Sequence, residues 1–379
     1  MSTVATDTDT GLERLDEVDW TFRTADTGGA THRLHPYPAK FIPQIPRTLI
    51  RELHPGDGTA VLDPFCGSGT TLVEAALAGK RAIGVDLSPI ACLVSSVKTT
   101  PLNADLVELG RRASEVGRSA QPRIPDIPAL DHWFRLDVQR GVSRLIQGID
   151  AVSEGAARSA LRVCLSNILV RVSNQESDTR YAAIEKDVSE ELVFSLFQSA
   201  VGRAAAALQE TWGGLFEVPK VSVLNRDVLE LEATDISDPV SLVVTSPPYP
   251  NAYEYWLYHK YRMFWLGMDP VAVRKSEIGA RPHYHGSNPQ SAADFQRQMV
   301  SVMKTLSELL TRSGSVCFQV GDSVIRGELI DNSTLLTRAA SEAGFRLVRS
   351  FDRTIPSNRK SFNPRHARIK KEQILVFRR

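Results

Sequence analysis

The chain has 379 residues, 42% hydrophobic and 23% charged, ordinary for a globular protein and long enough for one large α/β body with an insertion or for two domains. Lys plus Arg number 45 against 44 Asp plus Glu, so overall charge makes no case for a nucleic-acid partner and the local distribution has to make it. Cys66, Cys92, Cys164 and Cys317 form no CxxC pair, which excludes a zinc ribbon or a secreted disulfide scaffold and points to a reducing, cytoplasmic setting without a metal; no apolar run approaches the roughly 18 residues of a membrane span, and MSTVATDTDT does not read as a signal peptide.

Residues 1–30 carry seven acids against Arg14 and Arg23 and are expected to form a flexible acidic arm. HPYPAKFIPQIPRTLIREL (35–53) opens with prolines and closes in a helical run. TAVLDP (59–64) reads as a buried strand, FCGSGTT as a turn, and LVEAALAGK as a helix ended by Gly79. RAIGVDLS (81–88) is a second strand, followed by a helix from PIACLVSSVK. This alternation opens a doubly wound parallel sheet.

Between residues 99 and 216 strand signals almost vanish. ARSALRVCLSNILVRV and YAAIEKDVSEELVFSLFQSAVGRAAAALQETW show helical spacing. The segment is expected to be a helical insertion and a candidate target-recognition region, with VSNQESDTRY (172–181) as a polar link. Strands resume at KVSVLNRDVLEL (220–231), SLVVTSPPY (241–249) and GSVCFQVGDS (314–323), the last after a helix over 291–312. FRLVRSFDR (345–353) and EQILVFRR (372–379) read as a closing antiparallel pair.

Two motifs carry chemistry. In VLDPFCGSGTT a buried strand ends at Asp63, and Gly67 and Gly69 permit a tight turn into a helix whose first N–H groups are unpaired. The next strand ends at Asp86, where an acid can hold both hydroxyls of a ribose. A phosphate-cradling loop would need GxxxxGK[ST], and no lysine follows; a dinucleotide fingerprint would need a third glycine. A nucleophilic Cys66 would need a nearby base, and none is evident. In TSPPY (245–249) two prolines stop the ladder and leave carbonyls free as acceptors beside the ring of Tyr249.

Together, DPFCGSGTT and TSPPY resemble the S-adenosylmethionine-dependent DNA amino-methyltransferases, over roughly residues 31–98 and 217–379. The resemblance implies an α/β fold, a Rossmann-like class I methyltransferase sheet, mostly parallel with an antiparallel closing strand. It implies S-adenosyl-L-methionine as cofactor, bound by Lys40, Phe41, Asp63, Pro64, Phe65, Gly67, Gly69, Thr70, Asp86, Leu87 and Asp227. HPYPAKF would line the methionine end and Asp227 would meet the adenine. Catalysis would fall to Ser246, Pro247, Pro248 and Tyr249: the Ser246 hydroxyl and the Pro247 carbonyl as acceptors for an exocyclic amine, Tyr249 stacked on a flipped base. Serine at 246 favours N4 of cytosine over N6 of adenine. No cysteine follows a proline, so nothing resembles a C5-cytosine nucleophile.

DNA is the implied partner, with a cognate restriction endonuclease or defence-system proteins as candidate companions. Residues 251–290 hold eight of the 27 aromatic residues, interleaved with cations that include Arg274 and Arg281, a pattern suited to an unstacked base or to a buried aromatic helix face. Residues 341–379 hold eleven Lys or Arg against three acids, and Arg365, Arg368, Lys370 and Lys371 are candidates for phosphate contacts. An RNA base methyltransferase, or a non-catalytic nucleic-acid-binding protein keeping the fold, are the competing readings.

Overall fold

The computed structural model describes residues 7–56, 58–178, 180–251, 253–355 and 371–379. The first part of the chain runs α1 (Asp7–Asp16), α2 (Gln44–Leu53), β1 (Ala60–Asp63), α3 (Thr70–Leu77), β2 (Arg81–Asp86) and α4 (Pro89–Thr99). There follow α5 (Leu106–Ser119), α6 (Leu130–Trp133), α7 (Leu136–Asp150), α8 (Gly155–Val172), a hairpin of β3 (Gln175–Ser177) and β4 (Arg180–Ala183), and α9 (Glu190–Trp212). The remainder is β5 (Val221–Asn225), β6 (Val240–Thr245), α10 (Tyr255–Trp265), α11 (Pro270–Ser276), α12 (Ala292–Leu309), β7 (Leu310–Gly321), β8 (Ser323–Ile325), β9 (Glu328–Ile330), α13 (Asn332–Glu342), β10 (Arg346–Thr354) and β11 (Lys371–Arg378).

Seven strands form one sheet in the order β10-β11-β7-β6-β1-β2-β5. The pairs from β7 through β5 are parallel, and β11 runs antiparallel to both of its neighbours. This is the mostly parallel sheet with an antiparallel closing strand expected from the sequence. Both faces of the central strands are covered, so β1 and β6 are buried along their lengths and read as unbroken apolar runs. Side chains alternate between two cores: Ala60, Leu62 and Val243 face α12 and α13, while Val61, Leu242 and Val244 face α2 and α3. α12 starts with a capping box in which Ser291 and Asp294 satisfy each other's backbone N–H.

The order reverses at β1. The chain moves outward through β2 and β5 and returns to place β6 on the other side of β1. That switch point leaves a crevice at the carboxyl ends of the strands, the usual ligand site of an open α/β sheet.

Two segments differ from expectation. The N-terminal stretch is not a loose arm from Asp7 onward. Leu12, Leu15 and Trp20 are buried against α2 and the sheet, and Arg353 donates to the Trp20 carbonyl at 3.1 Å. Four acids in the ten residues of α1 mask the two leucines that anchor it. The 99–216 insertion is helical as expected, except that β3 (Gln175–Ser177) and β4 (Arg180–Ala183) pair as a hairpin where a polar link was expected. Its core is continuous with Ile90, Val94 and Val97 of α4 and Trp256, Tyr261 and Trp265 of α10, so it packs on the sheet's flanking helices as part of one body.

Candidate functional site

The tips of β1, β2, β5 and β6 open into a cleft with about 910 Å³ of empty space. Lys40, Phe41, Asp63, Pro64, Phe65, Gly67, Thr70, Asp86, Leu87 and Asp227 line it, and so do Ser246 and Pro248. The glycine motif and the SPPY motif, 182 residues apart at Asp63 and Thr245, therefore face one space.

Buried hydrogen bonds join the two segments: Thr71 Oγ1 donates to the Val244 carbonyl at 3.2 Å, and the shortest is between Thr245 and Asp63. Thr245 Oγ1 donates to Asp63 Oδ1 at 2.6 Å, and the Phe65 N–H donates to the same oxygen at 3.1 Å. Burial raises the Asp63 carboxyl to about 6, against the pull of these donors. Asp86 holds the glycine turn: its Oδ2 accepts the Gly67 N–H and its Oδ1 the Ser88 N–H, both at 2.8 Å. Burial raises this carboxyl also to about 6. Asp86 also lines the cleft, and each of its oxygens has capacity for a further donor.

Gly67 and Gly69 have different reasons to be glycine. Gly67 sits at φ 48° against the Tyr37 ring, 3.3 Å from where a Cβ would stand. Gly69, at φ 76°, would place a Cβ 2.7 Å from Ser95, so it permits α3 to pack on α4 and does not line the cleft. Beneath the turn, fully buried Lys98 donates to the Ser68 carbonyl at 2.8 Å. Glu74, buried in α3, binds His32 at 2.7 Å and Arg47 at 2.7 and 3.1 Å, tying the HPYPAKF segment's approach to the same helix.

Lys40 donates to the His32 carbonyl at 2.9 Å, and the partial burial of this group lowers it to about 8. Asp227 is half-buried and accepts the Leu229 N–H at 3.0 Å. Cys66 lines the cleft as well, but burial pushes its thiol well above the ordinary range, so it holds no thiolate for nucleophilic attack.

Pro247 and Tyr249 do not line the cleft. Pro247 is buried, and the Tyr249 ring packs against the core beneath α12. The Tyr249 oxygen is held by the Ser246 side chain and the Gly321 backbone. The loop after Pro248 is locked in place. Asn251 adopts φ 57°, donates its backbone N–H to the Gly279 carbonyl at 2.9 Å, and donates from Nδ2 to the Val324 carbonyl at 2.8 Å. A Cβ on Gly279 would stand 2.5 Å from the Tyr249 carbonyl.

Cleft residues that the sequence did not single out as candidate site residues include Tyr37, Ser88 and Glu277. Tyr37 lay inside the quoted HPYPAKF motif, whereas Glu277 belongs to no recognisable spacing. Much of the aromatic run 251–290 is core: Tyr261 stacks near Trp133 and Phe134, and Trp265 meets Phe134 edge-on at 5.6 Å. Arg274 is exposed, with its guanidinium 5.1 Å from the Trp256 ring, and Arg281 is exposed at the start of a short 3-10 turn. Lys371 is exposed and opens β11 opposite Thr354. Arg365, Arg368 and Lys370 lie outside the described residues. Among the described residues no His, Cys, Asp and Glu cluster could hold a metal ion, and no helix is long and apolar enough to cross a membrane.

Comparison with known proteins agrees with this geometry. Residues 12–96 match the family model described as DNA methylase. Type II methyltransferase M.MvaI from Kocuria varians is 27% identical over 256 residues, 61% of this chain and 56% of that protein. Type II methyltransferase M.BsoBI from Geobacillus stearothermophilus is 22% identical over 285 residues, 66% of this chain and 55% of that protein. Type II methyltransferase M.MjaII from Methanocaldococcus jannaschii is 46% identical over a shorter stretch of 67 residues, 18% of this chain and 12% of that protein. The chain thus spans about half the length of the first and second of these relatives, and much less of the third.

Proposed function

For a chain that belongs to the family of DNA amino-methyltransferases, we propose methylation of the exocyclic N4 of cytosine in DNA, with the base flipped into the cleft described above. S-adenosylmethionine is the cofactor of this family, and the cleft suits it: Asp86 offers acceptors for a ribose, Asp227 an acceptor for an adenine, and Lys40 a cation for a carboxylate. The observation that carries the reading is that Ser246 and Pro248 share this one cleft with Asp63, Asp86 and Asp227.

Bound there, the cofactor supplies an electrophilic methyl group. The chain's own contribution is positioning. The base's amino group is a poor nucleophile because its lone pair is delocalised into the ring. Ser246 Oγ accepts one of its N–H bonds and draws the nitrogen toward a tetrahedral shape with its lone pair freed; Pro247, paired with it in the sequence motif, is buried outside the cleft lining. Tyr249 acts through Ser246: its oxygen accepts a hydrogen bond from the serine hydroxyl, which leaves the serine oxygen's lone pairs for the amine. The Thr245–Asp63 bond fixes the distance between the acceptor and the cofactor loop. No covalent intermediate is required, and the gain comes from alignment.

Serine at 246 supports cytosine over adenine, and the Type II relatives support a role in a restriction-modification system beside a cognate endonuclease. Methyl-labelled S-adenosylmethionine offered separately with duplex DNA, RNA and protein tests the class of substrate. Label is expected in DNA; label confined to RNA or protein overturns the reading.

A further inference from the structure

Glu277 is an acid without an assigned task in a cleft where every other acid has one. It follows α11, is 7% exposed, and lines the cleft with Ser246, Pro248 and Tyr255. Its two oxygens accept the Tyr255 N–H at 2.9 Å and the Trp256 N–H at 2.8 Å, the first free donors of α10. The carboxyl is thereby held rigidly, and each oxygen keeps one lone pair. Tyr255, whose backbone it grips, stacks its ring on Tyr37 with centroids 5.9 Å apart. His259 backs Tyr37 at 4.8 Å. The Tyr249–Gly279 contact clamps the segment bearing Glu277 to the catalytic loop. The result is a fixed acid and two aromatic rings lining the cleft that also holds Ser246.

We propose that Glu277, framed by Tyr37 and Tyr255, is the counter-charge for the cofactor's sulfonium, so that the cleft prefers the charged cofactor to its neutral thioether product. The inference rests on the S-adenosylmethionine reading above. The chemistry is that of cation recognition in a desolvated pocket. A carboxylate supplies the charge and π-faces supply the wall. The wall must lie where the transferable methyl lies, which is beside the acceptor Ser246. Once the methyl has left, the sulfur is neutral and the attraction is gone, which favours product release.

The protonation of Glu277 gives the proposal a second reading. Burial raises this carboxyl to about 8, with Asp86 and Glu254 adding repulsion, while the phenols of Tyr37 and Tyr255 stay protonated. Near pH 7.5 the empty site is therefore partly protonated, and a cation arriving there expels the proton. Asp63 and Asp86, at about 6, are already ionised at that pH. Lys40 titrates in the same range, but sulfonium and thioether carry the same methionine carboxylate, so its response cancels between them.

The test is calorimetry on the full chain with S-adenosylmethionine, its thioether product S-adenosylhomocysteine, and sinefungin, which carries an amine where the methyl would be. For Glu277→Gln, affinity for the two cations is expected to fall about tenfold or more while the thioether moves less than about twofold. Equal losses for all three ligands, or no loss, overturn the proposal. In the unsubstituted protein, titrations at pH 7.5 in buffers of different ionisation enthalpy are expected to show proton release with the sulfonium and less with the thioether. Equal release overturns it even if Glu277→Gln fails to fold. Failure of the unsubstituted protein to bind any of the three removes the cofactor reading itself, a separate result.

Discussion

Thr245 Oγ1 and Asp63 Oδ1 stand 2.6 Å apart, each at the last residue of its strand, and this contact welds the end of β6 to the end of β1. One strand carries the cofactor turn and the other the acceptor for the target amine. The bond is buried, so its loss leaves a carboxyl short of a donor in a dry site. Thr245→Val keeps the shape and removes the hydroxyl. It is expected to destabilise the chain by about 1–3 kcal/mol in urea titrations. Methyl transfer is expected to fall more than cofactor affinity does, because alignment between the motifs is what the bond provides. A variant with unchanged stability and turnover would show that strand packing alone sets the alignment.

Asp86 binds two backbone N–H groups and faces the cleft, so its replacement has separable effects. Asp86→Asn keeps one carbonyl oxygen for Ser88 but turns an NH2 toward Gly67 or the ribose. Cofactor affinity is expected to drop by about 1–3 kcal/mol, the scale of hydrogen bonds to a charged acceptor. Calorimetry reads this directly, and an unaltered affinity would remove Asp86 from ribose recognition.

How far the sequence exposed this site depended on how local each signal was. Strand, glycine turn and helix follow one another in VLDPFCGSGTT, and TSPPY carries its own strand end, so both motifs and the closing β10–β11 pair were legible. The α1 helix was not, because acids surround Leu12 and Leu15 and the partner core comes from α2 and the sheet. The β3–β4 hairpin was not, because its strands are only three and four residues long and neither carries an apolar alternation. Tyr249 illustrates a subtler limit: its position beside the prolines is fixed by sequence, but the direction of its ring toward the α12 core is set by tertiary packing. Glu277 became visible only once folding brought residue 277 under the N-terminus of α10.

Glu277 also sets a pH dependence of stability. Its folded-state value, raised by burial to about 8, exceeds the ordinary 4.5 of a glutamate. The folded chain therefore holds a proton that the unfolded chain releases between these values. The associated stability is fully present below about 4.5 and is lost as pH rises through about 8, by an amount of roughly a few kcal/mol. In thermal melts of the ligand-free chain from pH 5 to 9, the stability of the unsubstituted protein relative to Glu277→Gln is expected to fall as pH rises. Parallel slopes for the two proteins would mean that Glu277 ionises freely in the folded state.

The basic cluster at the C-terminal end makes a claim about salt. If Arg365 and Arg368 neutralise phosphates, each Arg→Ala change should reduce the slope of log affinity against log salt by roughly 0.9 on duplex DNA. Binding should weaken about equally on target and non-target sequences, since phosphates carry no direct sequence information. Cofactor affinity should stay constant. A loss confined to one sequence would make these residues base readers, and an unchanged slope would leave them as solvated charge.

Mass spectrometry of nucleosides from duplex DNA incubated with the purified chain and S-adenosylmethionine tests the central claim most directly. N4-methylcytosine is expected with the unsubstituted chain and is expected to be much reduced with Ser246→Ala. Recovery of N6-methyladenine alone would contradict the choice of target atom, and unmodified DNA from a chain that binds the cofactor would contradict the proposed reaction.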